Sequence, residues 1–90
     1  MKLANIGFGN LVCVDKIIAI VTPESSPIKK MLQDLKEKGL LIDATCGKKM
    51  KSVVFMENNN ALVSALAPDI IYNRLNFSED KNEGKLESNE

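Results

Sequence analysis

The chain has 90 residues, of which 44% are hydrophobic and 27% are charged, with twelve basic and twelve acidic side chains. This length excludes a multi-domain enzyme, and this apolar content excludes a wholly disordered protein. Histidine and tryptophan are absent and there are two cysteines, so the usual catalytic and metal-binding residue types are almost missing.

Two short strands around a tight bend are predicted within residues 2–14. The bend is Gly7-Phe8-Gly9-Asn10, whose residue types suit the positive φ that a turn requires. This segment has two of the three glycines of a dinucleotide-binding fingerprint, but Val12 occupies the third position and no helix follows. We therefore expect no cofactor here.

The next segment, Ile17–Val21, is an apolar, mostly β-branched run that predicts a strand buried on both faces at the centre of a sheet.

Ser26 and Pro27 then predict an N-cap and the first residue of a helix, which should end at Gly39. Its apolar residues follow the i, i+3, i+4, i+7 spacing of one buried face: Ile28, Met31, Leu32 and Leu35. Its lysines alternate with Asp34 and Glu37, so we interpret them as a solvated face: Lys29, Lys30, Lys36 and Lys38.

Strands are then predicted over residues 40–45, 52–57 and 61–66. A long basic loop is expected to join the first and second of these strands as a hairpin, and a turn at Asn58-Asn59-Asn60 to join the second and third. Pro68 can begin a short final helix whose inner face holds Ile71 and Leu75, with Tyr72 as a further candidate for that face. The predicted order is β-β-β-α-β-β-β-α. This is an α+β fold with a small, largely antiparallel sheet, one main helix and a short C-terminal helix.

Charge divides the chain unevenly. Residues 1–75 carry ten basic and seven acidic side chains, whereas residues 76–90 carry two basic and five acidic ones. We predict one domain over residues 1–75 and a disordered acidic tail over residues 76–90.

No apolar run approaches the roughly 20 residues of a membrane helix and the N-terminus lacks a signal-peptide pattern, so we expect a cytoplasmic protein with reduced cysteines. The apolar strands exceed what one helix and a terminal turn can cover, which predicts self-association.

The loop between residues 45 and 52, which joins the first two of these later strands, is the candidate site. Lys48, Lys49 and Lys51 lie within four residues, although exposed loops are often rich in lysine for solubility alone. A catalytic Cys46 is the enzymatic alternative, but the sequence has no histidine to activate its thiol. Asp43 and Thr45 are interpreted as residues that hold the loop through side-chain to backbone hydrogen bonds.

Several separated motifs together resemble the RemA family of small bacterial regulators of extracellular matrix genes. The motifs cover residues 5 to about 75 in the order typical of the family: Asn5-Ile6-Gly7-Phe8-Gly9-Asn10, Pro23-Glu24-Ser25-Ser26-Pro27-Ile28-Lys29, Leu41-Ile42-Asp43-Ala44-Thr45 with Gly47, and Ser64-Ala65 with Pro68. The resemblance implies a DNA-binding transcriptional regulator of biofilm matrix genes that is not an enzyme. It further implies a ring-like homo-oligomer that contacts double-stranded DNA through repeated basic loops, with no cofactor, membrane or small-molecule substrate.

The resemblance also implies the contact residues. The arginine-rich loop of the family matches Lys48, Lys49 and Lys51, and a further family arginine matches Lys16. Lysine keeps the positive charge but lacks the planar fork that grips guanine or phosphate with two bonds, so contacts to the DNA backbone are better preserved than base readout. An oligomeric protein-interaction scaffold without DNA binding is the alternative function.

Overall fold

The computed structural model describes the backbone of residues 2–79 and the side chains of residues 2–75. The elements in chain order are β1 (Leu3–Asn5), β2 (Leu11–Cys13), a single 3₁₀ turn (Val14–Lys16), β3 (Ile17–Val21), α1 (Ser26–Glu37), β4 (Leu41–Asp43), β5 (Ser52–Met56), β6 (Ala61–Ser64) and α2 (Pro68–Glu79). The predicted α+β class and element order are confirmed.

The β1–β2 hairpin confirms the predicted bend. Ala4 pairs with Val12, and the loop closes through hydrogen bonds from the Ile6 N–H to the Asn10 carbonyl at 2.8 Å and from the Asn10 N–H to the Gly7 carbonyl at 3.0 Å. Gly7 has a φ of 115°, which a residue with a Cβ adopts only with strain. The side-chain oxygen of Asn5 fixes this conformation by accepting the Gly7 N–H at 2.7 Å.

The main sheet has four strands in the order β3-β5-β6-β4. Only the β4–β6 pair is parallel, so the sheet is largely antiparallel as predicted. The predicted central position of residues 17–21 is wrong, because β3 forms an edge and β5 and β6 lie inside. The apolar run of β3 is only partly buried, and a bulge between Ile17 and Ala19 leaves the Ile18 side chain 67% exposed.

The predicted hairpin between β4 and β5 is also wrong. β4 pairs with β6, and the hairpin is formed instead by β5 and β6 around Asn58-Asn59-Asn60, where Asn59 has a φ of 72°. The three-asparagine turn connects β5 and β6 directly as a hairpin. The other edge of β6 is therefore available for pairing with β4. The segment between β4 and β5 therefore crosses the end of β6 rather than closing a hairpin.

Two hydrophobic clusters cover the two faces of this sheet. One lies under the β1–β2 hairpin and α2, and its fully buried residues include Ile6, Val54 and Ile71. The other lies under α1 and includes Leu32, Val53 and Val63. Alternate residues of β5 thus enter opposite clusters, as expected for a strand that is covered on both faces.

The helix ends follow local rules with small shifts from the prediction. Ser25, one residue before the predicted cap, is the N-cap of α1, and its Oγ accepts the Ile28 N–H at 3.4 Å. Gly39 ends the helix as predicted: its N–H and that of Leu40 donate to the carbonyls of Lys36 and Leu35, as in a Schellman motif.

The last helix, α2, differs from the prediction in two respects. Ile71 is buried and Leu75 is partly buried, but Tyr72 is 61% exposed and does not belong to the inner face. The helix continues to Glu79, so residues 76–79 of the predicted tail are helical, whereas residues 80–90 lie outside the described residues. Neither helix in residues 2–79 is long and apolar enough to cross a membrane.

Candidate nucleic-acid interface

The candidate interface is the basic loop, which we define as residues 44–51, between β4 and β5. Both of its ends are hydrogen bonded to β6, from the two sides of that strand. The Ala44 N–H donates to the Val63 carbonyl at 2.9 Å, and the Lys51 N–H donates to the Ser64 carbonyl at 2.8 Å. The loop therefore crosses the end of β6 with its two ends fixed by the sheet.

The start of the basic loop is held by Asp43. Its Oδ1 accepts the Thr45 N–H at 2.9 Å and the Thr45 hydroxyl at 2.6 Å, as predicted for these two residues. The Thr45 hydroxyl, then the Thr45 N–H, and to a smaller extent the positive charge of Lys36 lower the pKa of the Asp43 carboxyl. The carboxylate is thus the form that fixes the loop.

The loop turns sharply immediately after this contact. Cys46 and Gly47 have φ values of 55° and 83°, and the Lys48 N–H returns to the Thr45 carbonyl at 3.0 Å. A left-handed conformation is costly for a residue with a Cβ, and Gly47 supplies the position where the cost is absent. The lysines therefore follow a turn whose backbone is set by hydrogen bonds on the side of β4.

Two buried serines support the other end of the loop. Ser52 and Ser64 are paired across β5 and β6, and both are fully buried. Ser64 Oγ donates to the Ile6 carbonyl at 2.6 Å and accepts the Leu66 N–H at 3.0 Å, while Ser52 Oγ donates to the Leu66 carbonyl. This role was not predicted, because a serine at the end of an apolar run carries no sign of its partners.

Lys48, Lys49 and Lys51 are all exposed. Among the residues whose side chains are described, none of the three forms an ion pair, since the two ion pairs there join Lys16 to Glu57 and Lys38 to Asp34. Three exposed ammonium groups on one short loop produce a local positive potential, which attracts an anion such as the phosphate backbone of a nucleic acid.

Lys16 lies apart from these three lysines. It precedes Ile17, whose partner is Met56 at the far end of β5, whereas Lys51 precedes the start of β5. A strand of this length separates the two positions by about 17 Å. Lys16 Nζ also lies 3.5 Å from Glu57 Oε2, so the one predicted contact residue outside the loop shares its charge with a carboxylate.

The lysines of α1 lie towards two different ends of the sheet. β3 ends at Val21, which pairs with Val53 near the start of β5, so the beginning of α1 lies at the same end of the sheet as the basic loop. Lys29 and Lys30 are in the first turns of α1 and are exposed at that end. The sequence pattern indicated only a solvated face for these two lysines, and the strand directions place the start of their helix at the same end of the sheet as the loop.

Comparison with known proteins agrees with the motifs. A family model described as "RemA-like: Extracellular matrix regulatory protein A-like" matches residues 3–75. A protein of Lachnoclostridium phytofermentans named "Putative regulatory protein" is 49% identical over 89 residues, covering 99% of this chain and 92% of that protein. "Extracellular matrix regulatory protein A" of Bacillus subtilis is 45% identical over 80 residues, covering 89% and 90%.

The family match spans the hairpin, the main sheet, the basic loop and most of α2. It includes the Gly7-Phe8-Gly9 bend and the Asp43-Ala44-Thr45 segment that carried the resemblance in the sequence. The chain therefore belongs to the RemA-like family of regulatory proteins.

Proposed function

We propose that this protein is a DNA-binding transcriptional regulator that acts as a ring-like homo-oligomer and presents its basic loops to the backbone of a DNA duplex. The observation that carries the proposal is a set of three exposed lysines, without ion pairs to the side chains described in residues 2–75, on a loop whose ends are fixed to β6. The family is one of regulators, and the name of the Bacillus subtilis relative supports extracellular matrix genes as targets.

Oligomerisation is a necessary part of the proposal. One loop with three lysines can neutralise only about three phosphates, which gives weak binding at physiological salt. Several loops on one assembly engage the same duplex at a high effective concentration, so the small contribution of each loop is multiplied. Lys16 is the fourth proposed contact, and it contributes less because Glu57 partly neutralises it.

In this role the protein is a cytoplasmic binding protein and not an enzyme, and it needs no cofactor or small-molecule substrate. Cys46 is exposed in the turn of the basic loop, where Gly47 and the lysines surround it in sequence. The chain offers no histidine for an acid–base partner, so we assign this residue to the turn and not to catalysis.

The test is the salt dependence of binding to a generic duplex, measured by fluorescence anisotropy. The wild-type assembly should bind at low salt and dissociate as salt rises, because binding releases counterions from the DNA. Lys48→Ala, Lys49→Ala should lower the slope of log K against log salt by about 0.9 for each phosphate that the variant no longer neutralises.

The control is Lys38→Ala, which removes an exposed lysine just beyond the far end of α1, where it is paired with Asp34. This control should leave the slope unchanged, and light scattering should give the same mass for both variants. If the wild-type protein does not bind duplex DNA at low salt, the result would instead support the scaffold function.

A further inference from the structure

Phe8, in the bend between β1 and β2, combines a strained backbone with an exposed aromatic ring. Its φ is 55°, in the left-handed region that a bulky residue adopts only at a cost. Phe8 is nevertheless 55% exposed, so burial of the ring offsets that cost only in part. Asparagine or glycine would fit the same backbone more easily. Backbone strain of this kind persists where the surrounding structure imposes it, and it is concentrated at functional sites.

The bend is held by several hydrogen bonds. Asn10 makes three of them: its side-chain amide donates to the Gly7 carbonyl at 2.8 Å, its N–H donates to the same carbonyl at 3.0 Å, and its own carbonyl accepts the Ile6 N–H at 2.8 Å. The Asn5 side chain accepts the Gly7 N–H at 2.7 Å. Phe8 is therefore displayed on an ordered backbone, and a contact made by its ring requires little further ordering of the chain.

Ser64 holds this bend and the basic loop at the same place. Its Oγ donates to the Ile6 carbonyl at 2.6 Å, and its carbonyl accepts the Lys51 N–H at 2.8 Å. One residue at the end of β6 is thus bonded both to the segment just before Phe8 and to the last residue of the basic loop. The exposed aromatic ring and the exposed lysines of the loop therefore lie at the same end of the sheet.

We propose that Phe8 inserts its ring at a base step of the duplex that the basic loop binds, and acts there as an apolar wedge. This inference rests on the proposed DNA-binding function and adds a contact to the bases themselves. Lysine recognises the charge of phosphate groups, which every duplex presents alike. An inserted phenylalanine ring instead partly unstacks a base step and bends the duplex, as in proteins that bind the minor groove.

A wedge of this kind selects DNA by its deformability. Pyrimidine–purine steps such as TA unstack more easily than the stiff steps of an A-tract, so insertion costs less free energy there. Phe8 thus gives a sequence preference to a surface whose other contacts are with phosphates. An exposed aromatic ring also suits a contact with another protein, but its position at the same end of the sheet as three lysines favours the polyanion.

The variant Phe8→Asn tests the ring while keeping the bend, because asparagine tolerates a left-handed backbone. We would titrate wild type and variant by fluorescence anisotropy with two duplexes of equal length and charge, one with several TA steps and one with an A-tract. Wild type should prefer the TA duplex. Phe8→Asn should lose this preference and bind the TA duplex about fivefold more weakly. Its salt slope should stay that of wild type, since no charge is removed.

Two controls accompany this variant. Tyr72→Asn removes an exposed aromatic residue of α2, outside the bend and the basic loop, and should change neither affinity nor preference. The urea midpoint of Phe8→Asn should stay close to that of wild type, because relief of backbone strain offsets the lost apolar contacts. Equal affinities of wild type and Phe8→Asn for the TA duplex would overturn the proposal and favour a protein contact for the ring.

Tryptophan fluorescence gives a second measurement that does not depend on a loss of binding. The chain has no tryptophan, so Phe8→Trp introduces a single indole at the bend. Its fluorescence should be quenched when the TA duplex is added, whereas that of Tyr72→Trp should not. A Phe8→Trp protein that binds DNA without quenching would overturn the wedge and leave phosphate binding by the lysines intact. Failure of wild type to bind either duplex would instead reject the regulator function, and the wedge with it.

Discussion

Ser52 and Ser64 are paired across β5 and β6, and each hydroxyl is directed to a segment outside the sheet. Ser64 connects β6 to the first loop of the chain through the Ile6 carbonyl at 2.6 Å, and Ser52 connects β5 to the segment before α2 through the Leu66 carbonyl. The end of the sheet that carries the basic loop is thus joined to the hairpin and to α2 by two buried hydroxyl groups.

Replacing Ser64 with alanine should destabilise the fold. The substitution leaves the buried Ile6 carbonyl and the partly buried Leu66 N–H without their partner, which costs about 1–3 kcal/mol. Urea unfolding followed by circular dichroism measures this loss. Ser26→Ala, at an exposed serine, is the control and should change the free energy of unfolding by less than about 0.5 kcal/mol. Equal stabilities for the two variants would contradict the role of Ser64.

The N-cap of α1 gives a second prediction. Ser25→Ala should cost about 0.5 kcal/mol, at the lower end of N-cap effects, because the contact from the Ile28 N–H to Ser25 Oγ is long at 3.4 Å. Ser26→Ala should cost less, since Ser26 is the first helical residue and not the cap. Thermal unfolding of the two variants shows which serine is the N-cap. A larger loss of stability for Ser26→Ala than for Ser25→Ala would mean that Ser26, the residue predicted from the sequence, is the cap.

Asp43 makes the basic loop dependent on pH. Its lowered pKa means that the carboxylate contributes stability above the unfolded-state pKa of about 4, and that this contribution is lost as the pH falls through the lower folded-state pKa. Asp43→Asn removes the charge, so this variant should be less stable than wild type at pH 7. The difference should shrink below about pH 4.

The measurement is urea unfolding of wild type and Asp43→Asn between pH 3 and 7. Asp69→Asn is the matched control, since Asp69 is an exposed carboxylate in the first turn of α2. A difference between wild type and Asp43→Asn that stays constant over the whole pH range would show that the charge of Asp43 does not hold Thr45.

The ion pair between Lys16 and Glu57 predicts an order among the DNA contacts. Lys16→Ala should flatten the salt dependence of binding less than Lys49→Ala does, because the Lys16 ammonium is 3.5 Å from a carboxylate oxygen and the Lys49 ammonium has no such neighbour among the described residues. Glu57→Gln should tighten binding by releasing the charge of Lys16. Anisotropy titrations at several salt concentrations measure both effects, and no change in Glu57→Gln would remove Lys16 from the contact surface.

Arginine at the loop should bind more tightly than lysine. Lys48→Arg, Lys49→Arg keeps the charge of the basic loop and adds the planar fork that can hold a phosphate or guanine with two hydrogen bonds. Affinity for a generic duplex should rise, and the salt slope should stay close to that of wild type because the number of charges is the same. A weaker complex would mean that the turn around Gly47 cannot orient the larger side chains.

The sequence by itself determined the elements whose causes are local. Gly39 ends α1 because its backbone can adopt positive φ, the three asparagines turn β5 into β6, and Asp43 holds Thr45 two residues away. These features depend on residues within a few positions of each other, so short-range sterics and hydrogen bonding are enough to determine them.

Only the tertiary structure decided which strands are neighbours. An apolar run such as Ile17–Val21 indicates a strand but does not name its partners, and it proved to be an edge. The pairing of β4 with β6 rather than β5 directed the basic loop across the end of the sheet. The antiparallel register of β3 and β5, which pairs Ile17 with Met56, placed Lys16 far from the loop. Strand pairing is set by the packing of residues distant in sequence, so the basic residues were predictable from the chain and their arrangement was not.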